Sequence, residues 1–306
     1  MALAEGIGAA WRSQPPVMRG VAMMLLSTVF FSLLHASIRI VSAELPPFEI
    51  AFFRNVFGLM ALTPLLARSG FGQLRTKRIG LHAARGLLNI GAMLMFFTAV
   101  SIAPLAKVTA LNFTAPVFAA ALSLIFLGER FKLRRWAAIG AGFLGVVIVL
   151  RPGLAEVELG SLLAVASAVL WAGALTIIKV LSRTESSVAI VAWMGIFLSI
   201  FSLGPALWVW KDPTPWAWAW LVWIGVVGSL AQVTVSQALK ETDPSAVMPF
   251  DFLKLVWATL LAMWLFGEYP DVWVWIGAAV IFGAGVYVAG RERAAARAEA
   301  ARKAAG

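Results

Sequence analysis

GVAMMLLSTVFFSLLHASIRIVS, residues 20–42, is an apolar run in which only His35 and Arg39 can carry charge. A helix needs about 20 mostly apolar residues to cross the hydrocarbon layer of a bilayer, and this run has that length. It exceeds the apolar stretch of a secretory signal, about 7–15 residues. The segment before it holds Arg12, Pro15, Pro16 and Arg19. Residues 1–19 therefore read as a short cytoplasmic tail, and the run as a retained first span.

Nine further runs follow, at 48–67, 81–101, 105–127, 136–151, 159–181, 188–210, 217–239, 245–266 and 271–290. Pro47, Pro104, Pro152, Pro215, Pro244 and Pro270 punctuate them, as helix breakers should. The runs lack the ten-residue alternation of a membrane β-barrel. The fold class expected is an all-α membrane protein of ten transmembrane helices. Composition agrees: 61% of residues are hydrophobic and 13% charged, where a soluble domain carries roughly 25% charged residues. The 14 Trp and 20 Phe exceed what one water-soluble core can hide, and the absence of Cys excludes disulfides and thiolate metal sites.

The net charge of +10 does not point to nucleic acid, because the basic residues sit in short clusters between apolar runs rather than on one face. Arg68, Arg75, Lys77 and Arg78 fall between runs two and three, and Arg130, Lys132, Arg134 and Arg135 between four and five. Arg183 and Lys240 mark two later even-numbered connections, and Arg291, Arg293, Arg297, Arg302 and Lys303 the basic tail, 291–306. The opposite side has little beyond Arg151 and Lys211. Cytoplasmic loops carry the excess of Lys and Arg, so both termini are expected in the cytoplasm of a multi-pass protein of the cell membrane. That orientation also requires an even number of spans.

Shifting the chain against itself by slightly less than half its length superposes Phe31, Arg39 and Ile40 on Trp171, Lys179 and Val180, Pro104 on Pro244, and Gly128-Glu129 on Gly267-Glu268. The implied halves are 20–151 and 152–290. Five spans per half is an odd number, so the second half enters the membrane the opposite way round. Such inverted repeats are the architecture of many secondary transporters, with substrate held near the midplane between halves.

Phe53-Arg54, Ala115-Pro116-Val117-Phe118, Leu127-Gly128-Glu129-Arg130, Ile139-Gly140-Ala141, Leu170-Trp171-Ala172 and Ile276-Gly277-Ala278 occur in an order that resembles the EamA-type family of the drug/metabolite transporter superfamily, over residues 20 to 290. The resemblance implies a ten-helix carrier of metabolites, commonly outward, with amino-acid exporters among its members. One departure concerns the small multidrug resistance branch, which uses a glutamate in its first helix; here no Asp or Glu lies between Gly6 and Ala43.

Charges within a bilayer cost about 2.5–3.5 kcal/mol each on insertion scales and face the bundle interior. Asp251 and Lys254, at i and i+3 on the ninth span, form either a neutralising pair or a switchable charge in the pathway. Asn112 is the repeat counterpart of Asp251. Ser32, His35 and Arg39 make one polar face of the first helix; His35 is a candidate proton carrier or a hydrogen-bonded packing residue. Arg39 and Lys179, repeat partners near opposite faces, either snorkel to the interface or act in gating. Arg54 pairs with Glu49 or another acid, or meets substrate. Gly228, Gln232 and Ser236 give the eighth helix an inward face. Trp171 and Asn89 either line the cavity or fill the core. Ala141 with Gly145 and Ala279 with Gly283 are close-packing pairs, within a monomer or across a homodimer.

No P-loop, G-x-S-x-G, H-E-x-x-H or metal cluster is present in the sequence, so neither ATP drive nor these enzyme classes are expected, and no cofactor. The expected function is alternating-access transport of small metabolites, with amino acids as leading substrates and export as the preferred direction. Uptake or exchange of a drug or other metabolite is the alternative. A lipid-active membrane enzyme or a non-transporting scaffold would belong to another class.

Overall fold

The computed structural model describes residues 14–69, 76–115, 117–119, 121–122, 133–151, 158–181, 184–185, 187–241, 247 and 250–287. Ten helices lie among them: α1 Pro16–Val41, α2 Pro47–Ser69, α3 Ile79–Ile102, α4 Leu105–Asn112, α5 Leu133–Leu150, α6 Leu159–Leu181, α7 Ser187–Trp208, α8 Pro215–Glu241, α9 Leu253–Phe266 and α10 Val272–Tyr287. No strand occurs among the described residues. Each expected run overlaps one of these helices among the described residues. The basic tail, Gly128-Glu129 and the cluster at 130–132 lie outside the described residues.

Proline sets several of the starts. Pro16, Pro47 and Pro215 open α1, α2 and α8, and Pro104 precedes α4 with φ −55°. A first-turn amide has no intrahelical partner, so its loss there costs nothing and the fixed φ suits the helix. Among the described residues four helices, α1, α3, α6 and α8, contain segments long and apolar enough to cross a membrane.

The main helix pairings cross between the chain's first and second halves. α1 packs along α8 and against α9; α6 packs along α3 and against α4; α2 meets α8 as α7 meets α3; α2 touches α7, and α4 touches α9. Exchanging α1 with α6, α2 with α7, α3 with α8 and α4 with α9 maps this set of contacts onto itself. Smaller contacts of α3 with α1 and α2 do not follow the exchange as fully.

Two crossings show how closely the helices approach. A Cβ built on Gly225 of α8 would overlap the Cβ of Phe57 on α2, and one on Gly86 of α3 would lie 2.7 Å from the Cβ of Phe197 on α7. Gly225 lies 139 residues after Gly86, and Phe197 140 residues after Phe57. In lipid, helix association depends on van der Waals packing of this kind, because tails are as apolar as the side chains. The small pair in α5 is used the same way: Gly145 sits against Gly277 and Ile281 of α10. In α10, by contrast, Gly283 meets nothing within 4 Å and Ala279 is exposed.

Large aromatic side chains stand exposed at one end of the bundle. Trp208 closes α7 at 84% exposure, Trp264 lies near the end of α9 at 81%, and Tyr269 follows α9 at 78%. Trp216 and Trp273 join them at the starts of α8 and α10. Rings with one polar edge collect at the membrane–water boundary, and this end carries the α1–α2, α3–α4, α5–α6, α7–α8 and α9–α10 connections.

Candidate functional site

α4 and α9 are both interrupted, at Phe113 and Phe252, 139 residues apart in the sequence. α4 ends at Asn112; the amides of Phe113 and Thr114 then reach back three residues, to Ala110 and Leu111 at 3.3 and 3.1 Å. α9 proper begins at Leu253 after Phe252, whose carbonyl accepts from the Leu255 amide at 2.9 Å. Interrupted spans are tolerated where they face protein or a water-filled cavity. The rings of Phe113 and Phe252 meet with centroids 5.7 Å apart, and Phe252 packs on Phe282 of α10 at 4.6 Å. The half-buried side chains of Asn112 and Asp251 flank this contact in sequence.

The polar stripe of α1 faces α9. Trp257 Nε1 donates to Thr28 Oγ1 at 3.2 Å, and Ser32 Oγ donates to the Lys254 carbonyl at 3.2 Å. Lys254 Nζ pairs with Asp251 at 2.5 Å and lies 4.6 Å from the centre of the Phe31 ring. One turn further on, His35 sets its ring edge-on to Phe96 of α3 at 4.7 Å.

Arg54 stands on α2 with its guanidinium over Gly228 of α8, 3.1 Å from where a Cβ would be. It donates to Asn55 Oδ1 at 3.0 Å, and Asn55 holds α7 through the Leu198 carbonyl and Ser202 Oγ, both at 3.4 Å. Among the described residues Arg54 has no carboxylate partner. The expected Glu49–Arg54 pair does not form. Five residues of helix rotate the two side chains about 140° apart, and Glu49 turns instead to the Lys211 amide at 3.1 Å.

At the aromatic-rich end, ion pairs and hydrogen bonds join the two halves. Arg39 pairs with Glu268 and donates to the Ala103 carbonyl at 2.5 Å, while Glu268 also accepts from the Leu105 amide at 3.1 Å. Lys107 pairs with Glu158 at 3.4 Å, and Arg151 with Asp271 at 2.6 Å. Glu44 takes the Lys211 ammonium on its carbonyl and the Thr214 amide on its carboxylate. Arg39 does not snorkel freely, because an acid and a carbonyl lie within its reach. At the opposite end Arg19 pairs with Glu241 at 2.9 Å and Thr76 donates to Glu185 at 2.8 Å.

His35, Asp251 and Lys254 are thus gathered along the α1–α9 seam, with Arg54 on α2 against α8 and Asn112 at the break in α4. Asn89 is buried on α3, on one stripe with His82 and Arg85, where Arg85 bonds the Ile190 carbonyl of α7 at 2.8 Å. Trp171 is half-buried on α6 and Gln232 half-buried on α8; among the described residues no ring contact or hydrogen bond ties either to the seam. The side chains of Lys179 and Ser236 lie outside the described residues. Sequence reasoning missed Phe96, Phe113, Phe252, Asn55 and Glu268 as participants. The two phenylalanines follow Asn112 and Asp251 at the same offset, a signal present in the sequence; the Arg39–Glu268 contact has no local signature.

A family model described as the EamA-like transporter family matches the chain twice, over residues 18–151 and 158–290. A relative from Rickettsia bellii named an S-adenosylmethionine uptake transporter is 31% identical over 276 residues, covering 90% of this chain and 95% of the relative. A riboflavin transporter of Vibrio cholerae is 33% identical over 271 residues, 86% of this chain and 90% of the relative. A pseudopaline exporter of Pseudomonas aeruginosa is 27% identical over 267 residues, 86% and 93%. One solved structure at 21% identity superposes with a TM-score of 0.59 over 88% of this chain and 96% of its own, a likeness of fold.

Proposed function

The chain belongs to the EamA-like transporter family, a multi-pass membrane transporter of small molecules rather than an enzyme, and from that premise we propose that it carries small zwitterionic metabolites by alternating access. The observation that carries this is the half-buried Arg54 on α2, without an acid partner among the described residues. A guanidinium is always charged and binds carboxylates bidentately. Arg54 holds the substrate carboxylate, Asp251 the substrate cation, and Phe31, Phe96 and the His35 ring its apolar body. Lys254 and Arg54 against Asp251 leave one positive charge in excess, which suits an anionic end.

The halves are inverted repeats, 20–151 and 152–290, with both termini in the cytoplasm. The two matches to one family model support this, as do the exchange of helix pairings and the matched crossings at Gly86 and Gly225. The aromatic-rich end is then the outer end. The Arg39–Glu268, Arg151–Asp271 and Glu44–Lys211 links close it, so this conformation is shut to the outside. Halves related in this way favour no direction, and the gradient sets it. Export of free amino acids, the narrower form expected from sequence, is one case. S-Adenosylmethionine, an amino acid carrying a planar base, is another that suits the aromatic wall and the named relatives.

Purified protein in liposomes, loaded on either side with labelled S-adenosylmethionine, riboflavin or amino acids, tests this. The expected result is saturable flux of an amino-acid-bearing compound, lost in Arg54→Gln. Absence of flux for the whole panel, with folded protein in the membrane, overturns it.

A further inference from the structure

The Asp251–Lys254 pair has a third member. Lys254 Nζ lies 2.5 Å from the Asp251 carboxylate and 4.6 Å over the Phe31 ring centre. An ammonium on a ring face gains from the ring quadrupole, more so when removed from water. Carboxylate and ring face therefore make a cation subsite, and a cation of the chain occupies it. Both charged side chains keep about a fifth of their surface exposed, 20% for Lys254 and 21% for Asp251. They sit on an apolar helix between α1 and α4, where lipid is an unfavourable neighbour for charge. Their remaining surface is accessible to an incoming ligand.

The tether on this cation is loose. Lys254 reaches the subsite through four methylenes, and its backbone is fixed separately by Ser32 at 3.2 Å. Swinging the ammonium away would leave the helix seam in place. The interruption at Phe252 lies between Asp251 and Lys254 in sequence, so the carboxylate and the ammonium stand on opposite sides of a joint.

We propose that Lys254 is a resident stand-in for the cationic centre of the substrate. An onium group, sulfonium or ammonium, displaces the lysine ammonium from the Asp251 carboxylate and the Phe31 face, and the freed ammonium turns to the substrate's anionic end. This rests on the transport function proposed above and adds to it which charge is read and by what. It also explains why a substrate site carries its own ion pair. The empty site stays neutralised, and in the loaded one the lysine ammonium and the Asp251 carboxylate each still face an opposite charge.

The test compares S-adenosylmethionine, whose sulfur carries a fixed positive charge, with S-adenosylhomocysteine, which has the same base and amino-acid end and an uncharged sulfur. Each is titrated as a competitor of labelled flux in liposomes containing the full chain. The wild type should prefer the sulfonium by about tenfold or more. Phe31→Leu, which leaves both charges paired, should bring the ratio toward one. Lys254→Met should raise sulfonium affinity relative to the sulfide, since the competing occupant is gone; a merely structural pair would weaken both ligands together. Asp251→Asn should abolish the preference and Asp251→Glu restore it. Equal loss of both ligands in Phe31→Leu and Lys254→Met overturns the proposal. Flux of ring compounds with no preference between the two sulfur forms also overturns it while leaving the transport function standing. No flux of any probe overturns both.

Discussion

Replacing Glu268 by Gln should open the outer face. The carboxylate holds Arg39 on one oxygen and the Leu105 amide, at 3.1 Å, on the other. It therefore ties α1 to the α3–α4 corner and to the end of α9. Glutamine keeps an acceptor for the amide and loses the charge opposite Arg39. The two side chains are 19% and 21% exposed, so the pair is screened and contributes about 0.5–1 kcal/mol. Replacing a charged acceptor by a neutral one takes about 1 kcal/mol more. The closed state then loses up to about 2 kcal/mol relative to the outward-open one, a shift of up to about 30-fold in their ratio. Because the chain has no Cys, Asn112→Cys introduces one thiol, half-buried at the break in α4. An impermeant maleimide added from outside should label it about tenfold faster in the Glu268→Gln background, within that shift. Arg39→Gln should do the same, and the double variant should add little, since both remove one link. Unchanged labelling in folded protein, or full additivity, would refute the role given to this contact.

Gly225→Ala should lower the thermal midpoint in detergent, because the new methyl would overlap the Phe57 Cβ and such overpacking costs about 1–3 kcal/mol; Gly283→Ala, with nothing within 4 Å, should leave it unchanged. Arg85→Met should also destabilise, since it removes the buried bond to the Ile190 carbonyl, about 1–3 kcal/mol, measured by the same melt. Lys107→Met should change neither stability nor flux detectably: its 3.4 Å pair with the half-exposed Glu158 belongs to a class that contributes about 0–1 kcal/mol.

The ten helices were legible because long apolar runs, set between prolines, find enough apolar surroundings only in lipid. The interruptions were not. Residues 105–127 and 245–266 read as continuous apolar runs, although each holds a proline within it: Pro116 lacks the amide that would bond the Asn112 carbonyl, where α4 ends, and Pro249 stands three residues before Phe252. Asp251 and Lys254 could be paired from their spacing alone, because i and i+3 share a helix face. Glu49 could not be placed that way: its partner is a backbone amide at Lys211, in the other half of the chain, and backbone donors carry no signature in sequence. Arg39 was recognised as special by the repeat, yet Glu268 was noticed only as half of a Gly-Glu match. Sequence self-comparison aligns equivalent positions and is silent on which of them touch.

The two glycine crossings limit how the bundle can move. At Gly86 and Gly225 a neighbouring side chain's first carbon lies almost against bare main chain, with no layer of flexible atoms between. Sliding one rod lengthwise past the other would drive that carbon into the next turn, whereas tilting about the touching point meets little resistance. The pair of knuckles, one toward each half, works as a hinge pin with two bearings, and any opening of the carrier should keep these distances fixed while the ends of the helices swing.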